Sequence, residues 1–223
     1  NLSSVLGVWA CWSLPELPLG QTGLSLQFGI VEPMKQTWML IRARRDVWIG
    51  ILAISWFRFF GAGVLSVLAP YCKDVLHVDE HVATAFLAMF TFGIGAGSLI
   101  CVKLSGGQIK LRLVPVGAIG LTVFLLDLYF ATNSLVQEGG ASALQSFAEF
   151  TVDPQAWRLL FDFFMMSVCG GLYILPLYTL MQERSDAASR SRVIAGNNIV
   201  NASYMVLSAL VIMALHSTQV SIP

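Results

Sequence analysis

Charge is scarce in this sequence. Asp, Glu, Lys and Arg make up 12% of its 223 residues, where a soluble domain carries about a quarter. The thirteen acidic and thirteen basic side chains cancel, which leaves no basic excess to attract nucleic acid. Cysteine is equally thin: Cys11, Cys72, Cys101 and Cys169 stand singly. With no CxxC pair there is no zinc framework and no disulfide scaffold, and these cysteines read as small apolar residues. Of the three histidines, two fall in His77-Val78-Asp79-Glu80-His81. That run matches H-x-x-E-H, but the metalloprotease pattern needs a helix and further ligands. Here it occupies a tight loop, where Asp79 and Glu80 serve as helix N-terminal caps. With no G-x-S-x-G, P-loop or H-E-x-x-H elsewhere, no catalytic residue, resident metal or cofactor is expected.

Apolar residues are abundant, at 56% of the chain, and mean hydropathy is +0.72. They gather into five runs, residues 47–71, 82–102, 113–131, 157–180 and 192–215. Each is about the 20 residues that cross a ~30 Å hydrocarbon core at 1.5 Å per residue. The expected fold is therefore all-α, a polytopic transmembrane helical bundle.

The few charges orient it. Lys35, Arg42, Arg44 and Arg45 precede the first run; Lys103, Lys110 and Arg112 join the second to the third; Arg184, Arg190 and Arg192 join the fourth to the fifth. By the positive-inside rule these segments are cytoplasmic. The opposite connectors hold Lys73 in one case and, over residues 132–156, no Lys or Arg but Glu138, Glu149 and Asp153. Only Arg58, within a run, and Arg158, at the mouth of one, stand apart.

Residues 1–12 are apolar but too short to span, and read as the tail of a helix that begins earlier. Residues 13–32, rich in Pro, Gly and Leu, have the character of a linker. Pro33 then opens a short basic helix over 33–46, either an interfacial helix on anionic lipid or a solvated connector. The organisation expected is thus 1–12 helix tail, 13–46 cytoplasmic linker, 47–216 transmembrane domain and 217–223 outward tail.

Polar groups inside a span are costly and are usually kept for a pathway or a partner. Arg58 lies near the middle of the first span, Asp127 in the outer half of the third, and Asp162 just inside the mouth of the fourth. Arg58 with Asp162 is the favoured pair and Asp127 the alternative; either is also explained as a structural ion pair. Asn197 and Asn201 share one face of the fifth span at i, i+4, placed to hydrogen-bond across helices as a gate or as simple adhesion. Gln182, Glu183, Arg184, Arg190 and Arg192 form an expected inner collar of charge. Gly93 and Gly97 make a G-x-x-x-G packing motif. Gly170-Gly171 with Pro176, and Gly61-x-Gly63 with Pro70, mark helices able to bend at matching places in two successive three-helix units, the layout of an inverted-repeat transporter.

Two stretches carry a resemblance. The loop Lys103-Leu104-Ser105-Gly106-Gly107-Gln108-Ile109-Lys110-Leu111-Arg112 resembles a degenerate major facilitator signature, G-x-x-x-D-[RK]-x-G-[RK]-[RK], with Ser105 or Gly106 near the place of the usual acid. The run Gly170-Gly171-Leu172-Tyr173-Ile174-Leu175-Pro176-Leu177-Tyr178-Thr179-Leu180-Met181-Gln182-Glu183-Arg184, followed by Ala195-Gly196-Asn197-Asn198-Ile199-Val200-Asn201, resembles the lysophospholipid transporters of that superfamily. Leu113-Val114-Pro115 through Leu126-Asp127-Leu128-Tyr129-Phe130 is similar to the versions fused to an acyltransferase and an acyl-acyl carrier protein synthetase.

The resemblance implies the C-terminal half of a major facilitator fold in the bacterial inner membrane, lacking its last helix. It implies movement of lysophospholipid such as lysophosphatidylethanolamine from outer to inner leaflet for reacylation. Its partners would be membrane lipid, an N-terminal transporter half and, in a fusion, an acyltransferase, although no H-x-x-x-x-D motif occurs in this chain. In that frame Arg58 would hold the phosphate and Asp162 or Asp127 the ammonium. Ser105, Gly106, Gly107, Lys110, Arg112, Gly170, Gly171, Pro176, Gln182 and Arg184 would be the motif and gating positions. The alternatives are a major facilitator carrier for another small solute, or a non-transporting membrane anchor of a fused lipid enzyme.

Overall fold

The computed structural model describes residues 31–106, 108, 110–138 and 146–217. The expected helix tail at 1–12, most of the linker, Gly107 and the tail beyond Ser217 lie outside them. The described residues from 34 onward fall in one unit. Among the described residues the chain is all-α, with no strand: α1 (Val31–Ala43), α2 (Arg45–Pro70), α3 (Glu80–Ser105), α4 (Leu113–Glu138), α5 (Phe147–Val152), α6 (Pro154–Glu183) and α7 (Arg190–Ser217). Five of these, α2, α3, α4, α6 and α7, are long and apolar enough to cross a membrane, at the five places the hydropathy predicts. The molecule is a multi-pass transmembrane helical bundle.

The boundaries follow local chemistry. Asp79 opens α3 by accepting hydrogen bonds from the amides of His81 and Val82 at 3.0 and 3.1 Å, which uses the carboxylate as a cap. Gly106, at φ +57°, closes the same helix in the left-handed conformation that glycine adopts at least cost. Ser146 and Glu149 form a reciprocal capping box on α5, and Asp153 with Pro154 starts α6. Pro70 does not end α2 outright. Its ring crowds the preceding turn, and the chain continues as a π-helical turn over Tyr71–Val75 closed by Leu76 N–H to Tyr71 O at 3.0 Å.

The short basic helix ends at Ala43 rather than at Asp46. Arg44 is extended, at φ −111° and ψ 112°. Asp46 belongs instead to the first turn of α2, where it accepts from Val47 N–H at 3.0 Å and faces the positive end of that helix.

The α6 helix is the centre of the bundle. Two thirds of its apolar window, 67%, is buried against 6% for α4, because α3 and α4 both lie along it and α2 packs on a further face. The α7 helix pairs with α2. Two apolar clusters fill the bundle. The outer one joins Leu68, Val82, Phe86, Phe150, Leu159 and Phe163, with Phe86 edge-on to Phe163 at 5.1 Å. The inner one joins Ile41, Ile51, Ile54, Met181, Val193 and Val200, so α1 is tied into the bundle by Ile41.

The outward faces stay greasy. Phe92, Leu99 and Ile119 are 72%, 67% and 65% exposed. Side chains of this kind in a contiguous band require lipid or further apolar helices around them, not water.

Candidate functional site within the bundle

Arg58 stands about midway along the span that runs from Arg45 to Val75, and its side chain is exposed. Its polar partner is the Tyr178 hydroxyl on α6, at 3.4 Å. The expected pairing with Asp162 does not form. Arg158 instead binds Asp127 on α4 through two bonds, Nη2 to Oδ1 at 2.5 Å and Nε to Oδ2 at 3.4 Å. The reason is depth: Tyr178, which Arg58 meets, lies sixteen residues from Asp162 along α6, about 24 Å at 1.5 Å per residue. Asp162 is buried and keeps its Oδ2 unpartnered. The structure therefore separates two groups that sequence reasoning joined, a lone guanidinium at mid-depth and an acid-rich cluster nearer the outer end.

On α7, Asn201 Oδ1 accepts from the buried Ser55 hydroxyl of α2 at 2.8 Å, a direct interhelical bond of the kind expected. Asn197, one turn nearer the inner end, is as deeply buried, yet neither atom of its amide has a partner among the described residues.

The glycines serve close approach. A Cβ on Gly97 would run into the Val168 carbonyl, and one on Gly171 would lie 2.6 Å from the Ile94 carbonyl, so α3 and α6 meet backbone to backbone. Gly117 and Gly120 do the same for α4 against Cys169 and Tyr173, and Gly170 admits the Phe57 ring of α2. Gly170-Gly171 is thus a packing device, and Pro176 sits inside an uninterrupted α6. Gly61 and Gly95 touch nothing.

At the inner end the signature-like loop is held by Gly106, which turns it, and by Lys110, whose ammonium donates to the Leu104 carbonyl at 2.6 Å and so satisfies the C-terminal end of α3. Ser105 touches Cys101, and Arg112 and Gln182 are exposed. The charges at this end pair differently from the expected collar. Arg44 donates to the Arg184 carbonyl at 2.6 Å and to Asp186 at 3.1 Å, and Arg184 faces Asp46 at 3.8 Å. Sequence reasoning missed Asp46 and Asp186; their signal was acid placed beside Arg in two connectors already assigned to one side. It also missed Tyr178 and Ser55, which carry no charge to draw the eye.

No family model, curated protein or solved structure matches the chain.

Between α2 and α4 runs an apolar trough floored by α6. It comprises two adjoining cavities of about 260 and 330 Å³ that share Leu125 and Leu126. Phe57 and Tyr173 stack at one end, 5.6 Å between centroids, and the Tyr71 and Thr132 hydroxyls bridge the other at 2.5 Å.

Proposed function

We propose that this chain is part of a membrane transporter of the major facilitator type that moves lysophospholipid from the outer to the inner leaflet by alternating access. The observation that carries the reading is Arg58. A guanidinium at mid-depth is expensive, and here no carboxylate among the described residues compensates it. Such a charge suits an anionic ligand, and a phosphate is matched by its planar fork of donors. The second requirement of a lysophospholipid, an apolar bed for one acyl chain, fits the trough between α2 and α4. The resemblance of the Gly170–Arg184 stretch to lysophospholipid transporters supports the same substrate. Tyr178, already bonded to Arg58, would help orient the phosphate.

The test uses the intact protein reconstituted in vesicles, with transfer of labelled lysophosphatidylethanolamine between leaflets as the readout. The wild type should transfer it; Arg58→Ala should lose transfer at unchanged folded yield, and Arg58→Lys should retain part of it, because a point charge replaces a bidentate fork. Transfer by Arg58→Ala at the wild-type rate removes Arg58 from the site. Absence of transfer by the wild type favours the membrane-anchor reading, and competition by sugars or drugs favours another solute.

A further inference from the structure

A cation sits between two indoles where α1 joins α2. Trp38 of α1 and Trp48 in the first turn of α2 meet edge to face at 5.4 Å, and the Arg42 guanidinium lies over both rings, 5.4 and 5.3 Å from their centroids. Stacking of this kind engages the flat faces of a guanidinium and leaves its N–H edges for other acceptors. Neighbouring Arg44 spends its donors on Asp186 and the Arg184 carbonyl. Among the described residues Arg42 spends none.

The rest of α1 fits the same arrangement. Thr37 and Ile41 lie against Gly196 of α7, and Ile41 is enclosed in the inner apolar cluster. At about 100° per residue, Met34, Lys35, Trp38, Met39 and Arg42 then share the other side of the helix, within an arc of about 140°. Met34, Trp38 and Met39 are 51%, 44% and 55% exposed. A face that mixes large apolar side chains with cations suits neither water nor hydrocarbon. It suits their boundary, where apolar bodies enter the acyl region and cations stay at the phosphates. The height agrees, because Trp48 stands at the start of a membrane span, the level at which indoles settle between hydrocarbon and headgroups.

Charge at this corner is one-sided. Asp46 faces Arg184 at 3.8 Å and Asp186 faces Arg44 at 3.1 Å, so these acids are committed. Lys35, Arg42 and Arg45 are exposed and join no ion pair among the described residues. We propose that the α1–α2 junction is a binding site for an anionic phospholipid of the leaflet it faces. The lipid phosphate meets the N–H edge of Arg42, which Trp38 and Trp48 hold in place; Lys35 and Arg45 add attraction, and the exposed methionines and Trp38 rest among the acyl chains. The site is separate from Arg58 at mid-depth and does not depend on transport.

Native mass spectrometry of the intact protein in detergent tests this by counting bound dioleoylphosphatidylglycerol, with dioleoylphosphatidylcholine and inorganic phosphate as comparisons. Each cation beside an anionic lipid surface contributes about fivefold in affinity. The wild type should therefore hold phosphatidylglycerol about tenfold or more tightly than phosphatidylcholine, which has the same chains and no net charge. Inorganic phosphate should not displace it. Lys35→Gln should lose about fivefold. Arg42→Gln should lose more, and Arg42→Lys part of that, because an ammonium lacks the planar fork that stacks and bonds at once. Lys103→Gln removes a cation at the same end but outside the site, and should leave the affinity unchanged. The exposed Lys35→Gln carries the test should Arg42→Gln fail to fold. A wild type that does not prefer phosphatidylglycerol overturns the proposal and leaves the face to a protein neighbour. Displacement by inorganic phosphate overturns it in favour of a free-anion site, and equal losses from Lys103→Gln and Lys35→Gln overturn it in favour of overall charge.

Discussion

Two asparagines one turn apart on α7 have opposite hydrogen-bonding fates, and stability should register the difference. Interhelical polar bonds inside membranes contribute about 0.6 kcal/mol on average and up to ~1.7, so Ser55→Ala, which deletes the bond to Asn201, should cost about 1 kcal/mol in the unfolding midpoint of the purified protein. Asn197 buries an amide with no partner among the described residues, a state that costs about 1–3 kcal/mol. Asn197→Leu, close to it in volume, should therefore stabilise by about 1 kcal/mol while reducing lipid transfer if the amide is kept for substrate. A destabilised Asn197→Leu would show that the amide has a partner elsewhere in the protein. At this scale the sequence was only partly legible. It exposed every costly side chain, because an Arg, Asp or Asn stands out in an apolar run. It hid which ones meet, because pairing depends on the depth at which helices lie beside one another and on quiet partners such as Tyr178 and Ser55.

At the scale of elements, glycine spacing separates sites that look alike in sequence. Gly93, Gly95 and Gly97 lie within one helical stretch, yet Gly93 and Gly97 face α6 and Gly95 faces open space. A methyl group on Gly97 must displace the backbone of Val168, and overpacking of this kind costs about 1–3 kcal/mol. Gly95→Ala meets nothing, so its effect should be neutral or stabilising by up to ~1 kcal/mol through helix propensity. Thermal unfolding of the two variants should therefore shift in opposite directions, or at least differ by more than 1 kcal/mol. Equal shifts would mean that α3 does not contact α6 along this face. The period of four around Gly93 and Gly97 signalled packing in the sequence, whereas Gly170-Gly171 with Pro176 signalled a bend that α6 does not use as a break. A double glycine beside proline reads the same whether it frees a backbone or clears space for a neighbour. Only the partner, here Phe57 and the backbone of α3, decides.

For the whole molecule the organising quantity is the side on which each charge lies. Ten of the thirteen Lys and Arg residues fall in α1, its junction with α2, and the α3–α4 and α6–α7 connectors with their flanking helix ends. The contacts between Arg44 and Arg184 and the cavity shared by Lys110 and Glu183 gather those connectors at one end. Tyr71–Thr132 and Phe86–Phe150 gather the poorly basic connectors at the other. The spans and the alternation of basic and poorly basic connectors were legible in the sequence, from hydropathy and charge, whereas the central placement of α6 was not, because a lipid-facing run and a protein-facing run are equally apolar. In intact cells, with the native cysteines replaced, a single cysteine at Ser189 or Gln108 should react with a membrane-impermeant maleimide only after permeabilisation. One at Thr151 should react from outside. Asp186→Lys, which turns an exposed ion pair with Arg44 into a repulsion, should cost less than about 1 kcal/mol and leave this labelling pattern intact, because orientation is set by positive charge in the connectors and acids contribute little. Labelling of Ser189 from outside unpermeabilised cells would invert the molecule. It would place the Asp127–Arg158 mouth in the cytoplasm.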